Sequence, residues 1–160
     1  MKKKISYLIA SMLGLGFFPV ASGTVGSLAT LPVAFCLAYF GGLWAVCLGC
    51  FLIYFLGVLA TKEVLKHTSH DPSLVVIDET VGQLLSFLFI APILYQTINC
   101  QTIILYVCGF VLFRLFDVAK PALVGWVDEK VQNAHGVMLD DVFAGLFAGV
   151  ILFLIALMIC

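Results

Sequence analysis

Two adjacent pairs of carboxylates, Asp78-Glu79 and Asp140-Asp141, and a further acid at Asp117 could together hold a divalent cation. Each pair stands where an apolar stretch begins, so each is expected to open a helix. An acidic side chain there accepts backbone N–H groups and complements the helix dipole, which explains one pair taken alone. Adjacent acids at both starts exceed what capping requires. Five carboxylates converging at a membrane surface would repel one another, and a divalent ion removes the repulsion. Oxygen donors with few thiols or imidazoles nearby suit Mg²⁺ or Mn²⁺ rather than zinc.

Cations accompany the acids. Arg114, Asp117 and Lys120 are spaced i, i+3, i+6 and share one helix face, and Pro121 ends that helix. In one reading Arg114 and Asp117 form an intrahelical ion pair while Lys120 snorkels to the interface. In the other, Arg114 and Lys120 grip phosphate oxygens while Asp117 helps to hold the metal. A guanidinium inside a membrane helix is expensive, which favours the second. Ser22-Gly23-Thr24-Val25-Gly26-Ser27 joins the first apolar stretch to the next helix. Its glycines would let backbone N–H groups approach an anion, with Gly23, Thr24, Gly26 and Ser27 as a secondary phosphate cradle. Acids for a cation, and cations for phosphate, are what metal-assisted phosphoryl chemistry on a lipid requires.

Other chemically suggestive residues read as bland. His67, His70 and His135 match no metal-ligand spacing and are expected as exposed loop residues. Cys47 and Cys50 form a C-x-x-C in mid-segment with no His or carboxylate nearby, so they are expected to pack as small apolar groups.

The elements that position these residues are set by composition. Of 160 residues, 63% are hydrophobic and 11% charged, with mean hydropathy +1.18, too much hydrocarbon for a soluble core of this size. The chain is expected to be a single membrane-embedded domain over residues 1–160, an all-α multipass bundle. Its formal net charge of -1 and few, scattered basic residues leave no footprint for nucleic acid.

Gly42–Ala60, Val81–Ile98, Thr102–Ala119 and Val142–Ile159 each suit about 30 Å of hydrocarbon. Gly26–Phe40 is shorter, and Gly41-Gly42 ties it to the next span as a helical hairpin. About five spanning helices follow, plus an N-terminal segment. That segment, Ile5–Val20, imitates a secretory signal after Lys2–Lys4, but further membrane segments follow at once and cleavage is not expected. Its glycines and proline suit a re-entrant or interfacial segment.

Counting crossings puts Ser22–Ser27, Asp71–Glu79 and Arg114–Asp141 on one side, while the opposite loops carry no charge. Lys62, Lys66, Arg114, Lys120 and Lys130 are on the motif side, which the positive-inside rule makes cytoplasmic. An ion-coupled transporter would instead place acids near the midplane, often in repeated halves, and no internal repeat is visible.

Four pieces carry a family resemblance: Gly23-Thr24-Val25-Gly26-Ser27, the run from Asp71 to Gly82 with Asp78-Glu79-Thr80-Val81-Gly82, the run from Arg114 to Pro121, and Gly136-Val137-Met138-Leu139-Asp140-Asp141. In this order and spacing the chain resembles phosphatidylglycerophosphatase A, departing from it at Ser22, where proline is expected. The resemblance implies a Mg²⁺-dependent phosphomonoesterase of the bacterial inner membrane, with its site facing the cytoplasm. Its phospholipid substrate would be phosphatidylglycerophosphate, converted to phosphatidylglycerol and phosphate. The implied ligands and catalytic acids are Asp78, Glu79, Asp117, Asp140 and Asp141, with Arg114 and Lys120 as the phosphate clamp.

Overall fold

Within a bilayer every backbone N–H and C=O must find a partner inside its own segment, so long apolar runs become helices. The computed structural model describes residues 3–68, 73–94, 99–121 and 123–159, and among them there are helices and no strand.

Among its described residues the N-terminal segment has no helix long enough to cross a bilayer. Helix α1 (Lys3–Ala10) has 8 residues, roughly 12 Å, and stops at Met12, Leu13 and Gly14, whose φ values are 48, 59 and 103°. A 3₁₀ turn at Leu15–Phe17 follows. The segment is pinned to the chain ahead of the third helix, because Val76 N–H donates to Ala10 O at 2.9 Å. A side chain at Gly16 would collide with the Leu74 carbonyl. This fits the expected re-entrant or interfacial segment.

Helix α2 (Ser22–Val64) is 43 residues long and breaks at Gly42 (φ 59°, ψ -155°), a conformation that favours glycine. The arms 22–41 and 43–64 fold back on each other: a Cβ at Gly49 would lie 2.9 Å from Leu37 Cδ1. In an unbroken helix those positions would be roughly 18 Å apart. The expected hairpin is present. The glycine motif, expected in a linker, instead forms the first turns of α2 itself. Cys47 and Cys50 are free, on the second arm, with Cys50 buried in the core as expected.

Helix α3 (Ile77–Ser86) runs through a 3₁₀ turn (Leu88–Ile90) into α4 (Ala91–Leu94), giving one apolar rod. That rod is the middle of the bundle: its 18-residue window is 67% buried, against 22–33% for the other three candidate spans. Helix α5 (Cys100–Ala119) starts with a reciprocal cap. Asn99 accepts from Thr102 N–H, and the Thr102 hydroxyl accepts from Asn99 N–H, each at 2.9 Å. It ends at Lys120, in the left-handed region (φ 43°), with Pro121 beyond.

Helix α6 (Leu123–Lys130) is a short helix inside the stretch Arg114–Asp141. Helix α7 (Ala134–Ile159) begins earlier than the apolar stretch Val142–Ile159 implied. Asp140-Asp141 therefore does not open a helix. The pair lies in the second turn of α7, buried, where the four unpaired N–H groups of a helix start are out of reach. Helical hydrogen bonding carried on through the less apolar residues 134–141, which hydropathy alone does not signal.

Among the described residues four helices could cross a membrane by length and apolarity, and separating the arms of α2 at Gly42 makes five apolar rods. The core is filled by Leu84, Phe87, Leu105, Phe113, Met138 and Leu152, all fully buried.

Candidate metal and phosphate site

Glycines bring the two acidic pairs together. Asp78 and Gly82 lie one turn apart on α3, and Asp141 and Gly145 lie one turn apart on α7. A Cβ on Gly82 would stand 2.6 Å from Asp141 O, and one on Gly145 would meet the Gly82 backbone. The helices touch backbone to backbone, as small residues allow in membrane bundles. The acids follow from that crossing: Asp78, Glu79 and Asp141 each offer an oxygen, and all three oxygens lie within 4.8 Å of one another.

Within each pair the two members behave differently. Asp78 Oδ1 accepts the N–H of Glu79 at 3.0 Å, and Asp140 Oδ1 accepts the N–H of Asp141 at 3.0 Å. Glu79 Oε2 and Asp141 Oδ1 are buried without any hydrogen-bond partner among the described residues. A buried carboxylate oxygen lacking a donor is costly, and cation coordination is the ordinary remedy. The donor set is all oxygen, so these residues fit a hard divalent ion.

The remaining acids carry organic cations. Arg114 Nη1 is 2.6 Å from Asp117 Oδ2. The same nitrogen donates to Ser27 Oγ at 3.5 Å, and Ser27 in turn donates to Gly23 O at 2.9 Å. A Cβ at Gly23 would run into Glu79 Oε1 and stand 3.3 Å from Arg114 Nη1. The first turn of α2 is thus the wall against which Glu79 and Arg114 rest. Thr24 is half-buried in that turn. Gly26 packs against Val76, and Thr30 donates to Gly26 O at 2.8 Å, so the carbonyls of Gly23 and Gly26 are both engaged from within the helix.

Lys120 is 2.6 Å from Asp128 Oδ1 and 3.2 Å from Asp140 Oδ2. It does not snorkel away. Burial alone would lower the ammonium pKa, but the bonds to Asp128 and Asp140 outweigh it and hold Lys120 above the usual lysine range, charged at neutral pH.

The structure therefore gathers the sequence-derived residues at one end of the bundle in two tiers. Asp78, Glu79 and Asp141 form the inner group. Asp117 with Arg114, and Asp140 with Lys120, form ion pairs around it. The intrahelical Arg114–Asp117 pair exists, and it stands beside Glu79 rather than apart from the acids.

Asp128 had no signal in the motif spacing: it lies in the stretch Arg114–Asp141, and only a helical reading of 123–130 would have turned it toward Lys120. Gly82 stands in the motif, which does not signal its packing role, and Gly145 could have been found as a small residue one turn beyond the second acidic pair. His135 lies in the first turn of α7 rather than in a loop, exposed, with Nδ1 3.1 Å from the Tyr54 hydroxyl. His67 is exposed, 4.0 Å from Glu63, and His70 and Asp71 fall outside the described residues.

A family model described as Phosphatidylglycerophosphatase A matches residues 8–156. Proteins named phosphatidylglycerophosphatase A from Haemophilus influenzae and Escherichia coli are 34% and 30% identical to the chain. The matches span 96% and 93% of this chain and 93% and 82% of theirs. A Bacteroides thetaiotaomicron protein named "Putative phosphatidylinositol-3-phosphatase" is 33% identical over 91% of this chain and 89% of its own. No solved structure matches the chain.

Proposed function

The chain belongs to the phosphatidylglycerophosphatase A family, and from that membership and its site we propose that it removes the terminal phosphate of phosphatidylglycerophosphate in a Mg²⁺-dependent reaction. The observation that carries this reading is the inner group of Asp78, Glu79 and Asp141, with two buried carboxylate oxygens left without donors. Their need for a cation and the family's phosphomonoester chemistry point to the same requirement.

Asp78, Glu79 and Asp141 would hold Mg²⁺, which supplies Lewis-acid polarisation of the phosphoryl group and charge neutralisation. Arg114 and Lys120 meet the phosphate. Each already carries a carboxylate, so an arriving phosphomonoester exchanges one anionic partner for another. Asp117 and Asp140, released in that exchange, are the acids positioned to take a proton from the attacking water. Ser27 and the wall at Gly23 hold Arg114 and Glu79 in place. The acyl chains stay among the apolar helices while the headgroup enters between α2, α3, α5 and α7. The protein sits in the bacterial inner membrane with this end toward the cytoplasm, a reading supported by Lys62, Lys66, Arg114, Lys120 and Lys130 on the same side. Residues 1–160 act as one membrane-embedded domain.

The Bacteroides relative's name favours one alternative, a phosphoinositide monoester, which the same acids and cations would serve. The test is phosphate release by the purified protein in mixed micelles, with phosphatidylglycerophosphate and phosphatidylinositol 3-phosphate in parallel, with and without Mg²⁺. The proposal expects metal-dependent release, faster from phosphatidylglycerophosphate. Faster release from the inositide would transfer the reading to that substrate, and metal-independent release from either would remove the metal from it.

A further inference from the structure

A furrow runs between the second arm of α2 and the start of α7, on a part of α7 that the acids do not use. Its inner end is an apolar hollow of about 270 Å³, whose lining includes Cys50, Tyr54, Val81, Leu85, Leu139 and Val142. Its outer end consists of two hollows of about 380 and 300 Å³ that share Lys62, Asn133 and Ala134. One of them adds His135, and the other adds Lys66 and Gln132. The Tyr54 hydroxyl and His135 Nδ1, 3.1 Å apart, bridge the two ends.

On α7 the furrow and Asp141 face different sides. His135, Leu139 and Val142 are spaced i, i+4, i+7 and form one stripe on α7, while Asp141 lies on the opposite side of the helix. The furrow is graded, apolar at one end and cationic at the other. Lys66 is 2.6 Å from Glu63, whereas Lys62 is exposed and has no ion pair among the described residues. Asn133 turns its carbonyl oxygen toward the N–H groups of His135 and Gly136, at 2.8 and 3.2 Å, which leaves its amide N–H groups as donors. From Phe51 to Lys66 the wall is roughly 22 Å long, close to the half-thickness of a bilayer with its headgroups, about 20–22 Å.

We propose that this furrow is a second lipid site, which holds one anionic phospholipid with its headgroup phosphate at Lys62 and an acyl chain in the hollow beside Tyr54. Asn133 and His135 supply hydrogen bonds to the headgroup. The site selects by charge, because the hollow itself is indifferent to which headgroup its chain carries. Basic pockets between membrane helices take anionic headgroups on the same grounds.

The test uses the full-length protein reconstituted in phosphatidylcholine bilayers with spin-labelled phosphatidylserine, phosphatidic acid and phosphatidylcholine. The motionally restricted fraction of each label reads the selectivity of the protein surface. Phosphatidylserine is a diester and no substrate for a phosphomonoesterase, so its binding reports the furrow whether or not the proposed reaction is correct. The expected result is preferential retention of phosphatidylserine over phosphatidylcholine. Lys62→Gln, a change at an exposed side chain, should weaken that preference roughly fivefold, the effect of one lysine near an anionic headgroup. Asp141→Asn should leave it unchanged. Three results would each overturn the proposal: no preference in the wild type, a preference that survives Lys62→Gln, or a preference confined to phosphatidic acid and lost in Asp141→Asn. Efficient cross-linking of two chains through Lys62→Cys would do so as well, by showing a second copy in the furrow.

Discussion

The start of α3 and the second turn of α7 carry nearly the same dipeptide, and the helices use it in different ways. At Asp78-Glu79 the acids stand in a helix's first turn, where free N–H groups favour negative charge. At Asp140-Asp141 they stand inside a helix, where no such donors remain and burial is complete or nearly so. What the two pairs share is internal. The first acid of each folds back onto the N–H of the second, and the second keeps a buried oxygen with no donor among the described residues. The field of the helix start favours the first pair and does not reach the second. The α7 pair is therefore the stronger evidence for a cation, and Asp141 is the residue on which the comparison turns.

The largest effect should come from Asp141→Asn. Turnover should fall by roughly a thousandfold, the scale of removing one electrostatic element of a preorganised site, while membrane insertion is kept. The same change should raise thermal stability in metal-free buffer, because it removes a buried carboxyl group that is crowded by Asp78 and Glu79 and whose Oδ1 has no donor among the described residues. If metal-free Asp141→Asn instead melts earlier than the wild type, Asp141 has a donor of its own and the contrast with capping fails. Asp78→Asn should lose turnover similarly, but its position in the first turn predicts a smaller gain in stability.

Arg114→Gln comes next. It leaves Asp117 facing its ion-pair position alone, and equilibrium unfolding in detergent should show a loss of about 3 kcal/mol. A smaller loss would mean that water reaches Asp117 freely.

Two glycines then separate fold from site. In Gly145→Ala the new methyl meets the Gly82 backbone, which has nowhere to go, so about 1–3 kcal/mol of stability should be lost. In Gly23→Ala the methyl meets the carboxylate end of Glu79, which rotates away, so stability should hold while turnover drops. Equal destabilisation in both would show that Glu79 is fixed as rigidly as backbone. The smallest effect is expected from Asp128→Asn, about tenfold in turnover, because Asp128 acts only through Lys120. Preserved activity there would show that Asp140 alone positions the lysine.

Much of this was legible in the sequence because membrane physics is restrictive. Spans need length and apolarity, and Gly41-Gly42 could serve only as a turn. The parity of crossings then put Gly23, Asp78, Arg114 and Asp141 at one end, where their side chains are found together. The less legible parts were short helical stretches next to polar residues. Helix α6 and the first turns of α7 carry apolar runs too short to mark a span, Leu123 to Val127 and Val137 to Leu139, and with their helicity went the helical positions of Asp128, Asp140 and Asp141. The first turn of α2 was misjudged for the opposite reason. Ser22-Gly23-Thr24 reads as linker chemistry, yet glycine is retained there for close approach to Glu79 and Arg114 rather than for freedom of the backbone.

The most direct test of the shared cation site is Mn²⁺ binding followed by electron paramagnetic resonance on purified wild-type and Asp141→Asn protein, with phosphate release measured on the same samples. The account predicts saturable Mn²⁺ binding in the wild type, displaced by Mg²⁺, and loss of both binding and turnover in the variant. Unchanged Mn²⁺ binding in Asp141→Asn, with turnover lost or kept, would contradict the claim that α3 and α7 hold one ion between them.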